Sequence, residues 1–166
     1  MNFEKQKKLF RVSKFVFAAL CALFIIGLFL QMVCMLWICL LPDKLAGFFE
    51  SFCIWRPFVS DMYRFNQATA ELCSSMLTYA FAVFITKNAW DIFSSLEKGE
   101  AFPILKLRYL ALSVLLSALI VPFVESTAFK VFVGTANVKA TFDVGMLALG
   151  LLLAVLSFGI TNKNEE

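Results

Sequence analysis

Three acidic residues are the side chains of this sequence best placed to do chemistry. Glu71, Glu125 and Asp143 each flank a long apolar segment, and they reach the same side if these segments cross a membrane in alternation. Carboxylates within several ångströms repel, which raises one pKa or recruits a cation, and hard oxygen ligands suit Ca²⁺ or Mg²⁺. The alternative is that each is solvated or paired with a basic residue nearby. The candidates are Arg56, Arg64, Lys130 and Lys139.

Glu71 is expected to be partly buried. The uncharged stretch Leu72–Thr86 has only 15 residues, roughly 22 Å of helix, which is short for a hydrocarbon layer of about 30 Å. The membrane-crossing helix should therefore extend past Glu71 and past Lys87, which would reach back to the headgroups. An unpaired carboxylate at that depth is costly, so we predict a cationic or hydroxyl contact for Glu71, with Arg56 or Arg64 as the nearest donor.

Most other site chemistry is excluded by residue type. The chain has no His, which removes Ser-His and Cys-His catalysis and His metal ligands. Its five Cys form no C-x-x-C pair, and there is no H-E-x-x-H, G-x-S-x-G or P-loop motif. Proton relays and ion carriers need ionisable groups at membrane depth. Deep in the first apolar segment, the only strongly polar residue is Gln31, which does not ionise. We expect no catalytic residue, cofactor or metal, apart from the weak carboxylate candidates.

Composition sets the class of protein that must position these residues. Of 166 residues, 61% are hydrophobic and 16% are charged, with a mean hydropathy of +0.82, whereas a soluble domain has about 25% charged residues. A net charge of +3 without a basic stripe does not suggest a nucleic-acid partner. The prediction is one integral membrane domain, residues 1–166, with the bilayer as its first partner.

Four apolar segments predict an all-α antiparallel bundle of four transmembrane helices. The predicted spans are residues 15–41, 68–90, 105–124 and 144–160, joined by an external loop at 43–67, a cytoplasmic corner at 91–104 and an external loop at 125–143. The first apolar run is 28 residues long, too long for a signal peptide core of about 7–15 residues. With both termini inside, 10 Lys and Arg lie inside and 5 outside, as the positive-inside rule favours.

The external loops carry apolar side chains. Leu45, Phe48, Phe49 and Phe52 are spaced i, i+3, i+4 and i+7, which predicts an amphipathic helix on the outer leaflet; with Trp55 its aromatic residues form a candidate docking face. A cap folded over the bundle would bury the same side chains. In the second loop, Phe129–Val133 is compatible with a short hairpin, with turns at Gly134 and Asn137. Cys53 and Cys73 both lie at the outer end and could form a disulfide, but the sequence favours the cysteines as ordinary small apolar residues of membrane helices.

Small residues of the third and fourth spans have two interpretations. Gly150-x-x-x-Ala154 lets helices approach closely, either inside one bundle or between copies in a homo-oligomer. Ser113 and Ser117 could donate hydrogen bonds across helices or to their own backbone.

The corner Trp90–Pro103, with Lys98, Gly99, Phe102, Pro103 and Arg108, is the most motif-like segment. A helix runs into a Lys/Gly/Glu turn in which Gly99 should take a positive φ, then Pro103 opens the third helix. Corner and spans resemble the bacterial membrane family catalogued as domain of unknown function 2975, although Pro103 stands where the family commonly has Ser and the tail is shorter. The resemblance implies a four-span protein of the bacterial inner membrane and no particular activity.

Three functions follow as hypotheses. The first is a non-enzymatic regulatory or immunity-type accessory that binds a membrane protein, peptide or lipid. The second is a subunit of a small transporter or oligomeric channel, which needs a polar path that one chain of apolar spans does not supply. The third is a membrane enzyme acting on lipid through Glu71, Glu125 or Asp143.

Overall fold

The computed structural model describes residues 3–40, 61–134, 140 and 142–163, and these residues form four helices without a strand. In chain order they are α1 (Phe3–Leu40), α2 (Asp61–Lys98), α3 (Ile104–Val133) and α4 (Val144–Lys163). The all-α prediction is confirmed. The predicted docking face of Phe48, Phe49, Phe52 and Trp55 lies outside the described residues, as does Cys53.

Three of the helices are long and apolar enough to cross a membrane. They are α1, α2 and α3, within Glu4–Trp37, Asn66–Lys98 and Ile104–Val133, while α4 is apolar over the shorter segment Val144–Ile160. The three long helices have 38, 38 and 30 residues, or about 45–57 Å of helix. Each is thus longer than the hydrocarbon layer of a bilayer, which is about 30 Å thick.

The helices pack antiparallel in a row. Among the described residues, Cα atoms approach within 8 Å only between helices that follow one another in the chain, so α1 contacts α2, α2 contacts α3, and α3 contacts α4. The predicted helical bundle is therefore open, and α1 and α4 form its two edges. Because α1 packs on α2 alone, side chains such as Leu23, Phe29 and Leu36 remain exposed.

Aromatic residues at seven-residue spacing form the contact between α1 and α2. Phe17 stacks on Phe93 with ring centroids 5.4 Å apart, Phe10 meets the same ring at 6.3 Å, and Phe24 packs edge-on against Tyr79. A repeat of seven keeps one face of a helix on its neighbour in a left-handed crossing. Gln31 continues this series, and its Oε1 atom is buried without a hydrogen-bond partner among the described residues.

The prediction of a hairpin at Phe129–Val133 is wrong, because α3 continues through these residues to Val133. Pro122 lies inside the helix without ending it. Ser126 and Ala128 are buried, so the extension still packs on a neighbour. The helix ends where Gly134 takes the left-handed conformation, with φ 73° and ψ 13°, which a glycine adopts at little cost.

The corner between α2 and α3 is a Schellman turn. Gly99 has φ +74°, as predicted, its N–H bonds to the Leu96 carbonyl at 3.1 Å, and the Glu100 N–H bonds to Ser95 at 3.1 Å. The helix α3 begins one residue later than predicted, so Pro103 is its N-cap rather than its first helical residue. The Pro103 carbonyl accepts the first helical hydrogen bond, from the Leu107 N–H at 3.2 Å.

Candidate functional site

Glu97 joins α1 to the corner between α2 and α3. It accepts hydrogen bonds from Arg11 Nε at 2.8 Å and Lys14 Nζ at 3.0 Å, one for each carboxylate oxygen. The two cations are three residues apart and so share one face of α1. Glu97 lies beyond the predicted span 68–90. The hydrogen bonds from Arg11 and Lys14 hold the pKa of its carboxyl group below the ordinary value.

Cations also connect the other two helix pairs at this end. Lys106 at the start of α3 forms an ion pair with Asp91 of α2 at 2.8 Å. Arg108, one turn into α3, lies 5.0 Å from the ring centroid of Phe158 in α4, within the range of a cation–π contact. Each helix interface is thus held, near the end of the molecule that carries the corner, by one basic side chain or one pair of them.

The other corner residues are more exposed. Lys98 is 3.8 Å from Glu100, and both side chains are more than half exposed. Phe102 is also exposed. The corner supplies charged side chains and a fixed turn.

The three candidate carboxylates, Glu71, Glu125 and Asp143, are exposed in the structure. Glu71 accepts a hydrogen bond from the Gln67 amide at 2.8 Å, and both residues lie on α2. The prediction that Glu71 is partly buried is therefore wrong. Its expected donors fall outside the described part of the chain, since neither Arg56 nor the side chain of Arg64 is described. The helix already begins at Asp61, so the amide one turn earlier provides the partner, and the apolar part can start at Leu72.

Asp143 has a structural function. Its Oδ1 accepts the N–H of Met146 at 3.1 Å, which makes it the N-cap of α4. Glu125 is exposed on α3. Within the described part of the chain, no three His, Cys, Asp or Glu side chains lie close enough together to hold a metal ion.

An apolar groove of about 250 Å³ opens between α2, α3 and the start of α4. Its walls come from the middle of α2, including Phe81, Ala82 and Ile85, and from the turn of α3 that contains Pro122. Asp143 and Met146, at the start of α4, complete the lining. Thr78 and Ser117 are the hydroxyl residues of the lining, and each donates to a carbonyl of its own helix, so neither offers a free donor.

Two small residues of α4, Gly150 and Ser157, are buried inside the chain, whereas Gly159 is exposed. A Cβ on Gly150 would come within 2.7 Å of Leu115 Cγ and 3.2 Å of the Leu115 backbone nitrogen, so α3 and α4 are in close contact there. Ser113 donates to the Tyr109 carbonyl at 2.7 Å and Ser117 to Val114 at 2.8 Å. Both serines therefore donate to the backbone of their own helix rather than across helices. Gly150 packs within the bundle.

Three of the cysteines are free thiols in the structure. Cys21, Cys34 and Cys73 carry no disulfide. The proposed partner of Cys73, Cys53, lies outside the described residues. Cys21 faces α2, with Sγ 4.0 Å from the Val83 carbonyl oxygen.

Sequence reasoning missed two residues that position the helices. Glu97 was assigned only to a turn, although the Arg11 and Lys14 pair three residues apart in α1 was a usable signal for a carboxylate partner. The second is Gly27, where an added Cβ would overlap the Tyr79 ring.

The chain matches no protein-family model, no curated protein and no solved structure.

Proposed function

We propose that the chain is a non-enzymatic protein of the bacterial inner membrane that binds another membrane component. In this proposal all four helices cross the bilayer, with both termini in the cytoplasm. The length of α4 supports the fourth crossing, because its 20 residues give about 30 Å of helix. The excess of basic residues on the arm and corner supports the orientation. Membership of the family that the corner resembles would agree with this assignment.

The groove between α2, α3 and α4 carries the binding proposal. It is almost entirely apolar, and its lining residues in α2 and α3 fall within the predicted spans 68–90 and 105–124. The inner end of the same helices is held by the Asp91–Lys106 and Arg108–Phe158 contacts. A groove of this kind fits an apolar segment of a partner, such as a transmembrane helix or a membrane-bound peptide. Binding there would suit a regulatory or immunity-type accessory.

Photo-crosslinking in cells tests this proposal. A photoreactive phenylalanine analogue would replace Phe81, which lines the groove, and, as the matched control, Phe29, which is 64% exposed on α1. We expect a discrete protein or peptide adduct from position 81 and only heterogeneous lipid adducts from position 29. A second variant, Ala82→Met, should weaken the adduct at 81 by filling the groove. The same adduct pattern at both positions would overturn the proposal.

A further inference from the structure

A small cleft lies at the end of the molecule that carries the corner, away from the groove. It has a volume of about 70 Å³ and lies between the N-terminal arm of α1, which contributes Gln6, Lys7 and Phe10, and the corner, which contributes Lys98 and Gly99. Its size excludes a folded partner and fits a single small polar group.

The charges around the cleft favour an anion. Glu97 also lines it, but its two oxygens are bonded to Arg11 and Lys14, so its charge is more than balanced. Lys7 is exposed and forms no ion pair with any described residue. Lys98 has only the 3.8 Å contact with Glu100, between two side chains that are more than half exposed. Two lysines are therefore available to one ligand.

The wider surface has the same sign. The described residues of the arm, the inner part of α2 and the start of α3 carry nine basic and four acidic side chains. The basic ones are Lys5, Lys7, Lys8, Arg11, Lys14, Lys87, Lys98, Lys106 and Arg108, and the acidic ones are Glu4, Asp91, Glu97 and Glu100. Three of the four carboxylates are already paired with cations.

The depth of the cleft identifies the source of the anion. The predicted first span begins at Phe15, five residues after Phe10, so in the proposed arrangement Phe10 lies about 7 Å outside the hydrocarbon layer. The headgroup region on each side of a bilayer is about 5–8 Å thick. The cleft thus lies at the level where lipid phosphates lie, and α1 offers exposed apolar side chains, such as Val12 and Phe15, for the acyl chains.

We propose that this cleft binds the phosphate headgroup of an anionic phospholipid, with Lys7 and Lys98 as its charged ligands. The inference goes beyond the proposed function, since it concerns the opposite end of the molecule. It also does not depend on which leaflet that end faces. Juxtamembrane lysines attract anionic lipids through the same electrostatics, and the cleft adds a defined position between two helices.

Thermal unfolding of the full chain in detergent micelles tests the proposal, with phosphatidylglycerol, phosphatidylcholine or inorganic phosphate added at equal concentration. We expect phosphatidylglycerol to raise the Tm more than phosphatidylcholine, and phosphate alone to have no effect. The Lys7→Gln/Lys98→Gln variant should need at least tenfold more phosphatidylglycerol for half of the full shift.

The matched control is Lys5→Gln/Lys8→Gln, which removes the same charge from exposed residues that do not line the cleft. It should respond to phosphatidylglycerol almost as the unmodified protein does. Equal shifts with both lipids, or equal losses in the two double variants, would overturn the proposal, because only general charge attraction would remain. A full shift with phosphate alone would also overturn it and indicate a site for soluble anions.

Discussion

Tyr79 of α2 lies directly on Gly27 of α1, with no space between them for a side chain on the glycine. A Cβ at residue 27 would overlap Tyr79 Cε1 and come within 2.8 Å of Cδ1. The ring also packs edge-on against Phe24, with centroids 5.9 Å apart and planes at 76°. A small residue here lets the two helices approach closely, as in other membrane helix pairs.

Gly27→Leu should therefore destabilise the contact between α1 and α2. Overpacking of a tight interface costs about 1–3 kcal/mol, measured as the free energy of unfolding in detergent. Gly159→Leu is the control. Gly159 lies in a helix, as Gly27 does, but it is exposed, and a Cβ added there would meet no atom within 4 Å. Adding Tyr79→Ala to Gly27→Leu should recover part of the loss. Equal stability of the two leucine variants would refute the close contact.

The positive φ of Gly99 predicts a graded response to substitution. No atom lies within 4 Å of a Cβ at this position, so any cost arises from the backbone. Gly99→Val should lower the free energy of unfolding by about 1–3 kcal/mol, and Gly99→Asn by less, since Asn tolerates the left-handed region better. Unchanged stability of the valine variant would show that residue 99 has ordinary backbone angles.

Glu97 predicts an acid-sensitive contribution to stability. Its pKa is lowered in the folded protein by the bonds from Arg11 and Lys14. The contribution is therefore complete above the unfolded value of about 4.3 and is lost as the pH falls through the lower folded value. Glu97→Gln should lower the Tm at pH 7, and the difference from the unmodified protein should shrink below about pH 4.

Glu100→Gln is the control for Glu97. Its contact with Lys98 is longer, at 3.8 Å, and more exposed, so its removal should lower the Tm less at pH 7. A Tm loss for Glu97→Gln that stays constant down to pH 3 would mean that the carboxylate charge does not contribute.

Two substitutions of Asp143 distinguish a helix N-cap from a function that needs its negative charge. Asp143→Ala removes the acceptor for the Met146 N–H and should cost about 0.5–2 kcal/mol of unfolding free energy. Asp143→Asn keeps an oxygen acceptor and should retain most of that stability. Equal losses in the two variants would contradict the capping assignment and favour a function that needs the negative charge.

The helices and the corner were predictable from local sequence. Apolar runs located all four helices, and Gly99 between two helical segments indicated the left-handed turn. The segment Phe129–Val133 was misassigned because its alternation suits a strand when considered alone. In the chain it follows a helix that is already formed, and extending a helix avoids the cost of a new nucleus.

The contacts that position the helices could not be derived from spacing along the chain. Arg11 and Glu97 are 86 residues apart, and their meeting depends on the register between α1 and α2. The error on Glu71 has a similar origin, because the uncharged stretch alone did not reveal that α2 begins at Asp61. Lateral packing in a membrane is set by shape more than by apolarity, which differs little between a lipid-facing and a helix-facing side.

The most direct test of the four-span account is the accessibility of single cysteines to a membrane-impermeant thiol reagent in intact cells. In a background without the other cysteines, the native Cys53 should react from outside. Glu100→Cys at the corner and Asn164→Cys in the tail should react only after the cells are permeabilised. Reaction of residue 100 from outside would reverse the orientation, and reaction of residue 164 from outside would show that α4 does not cross the membrane.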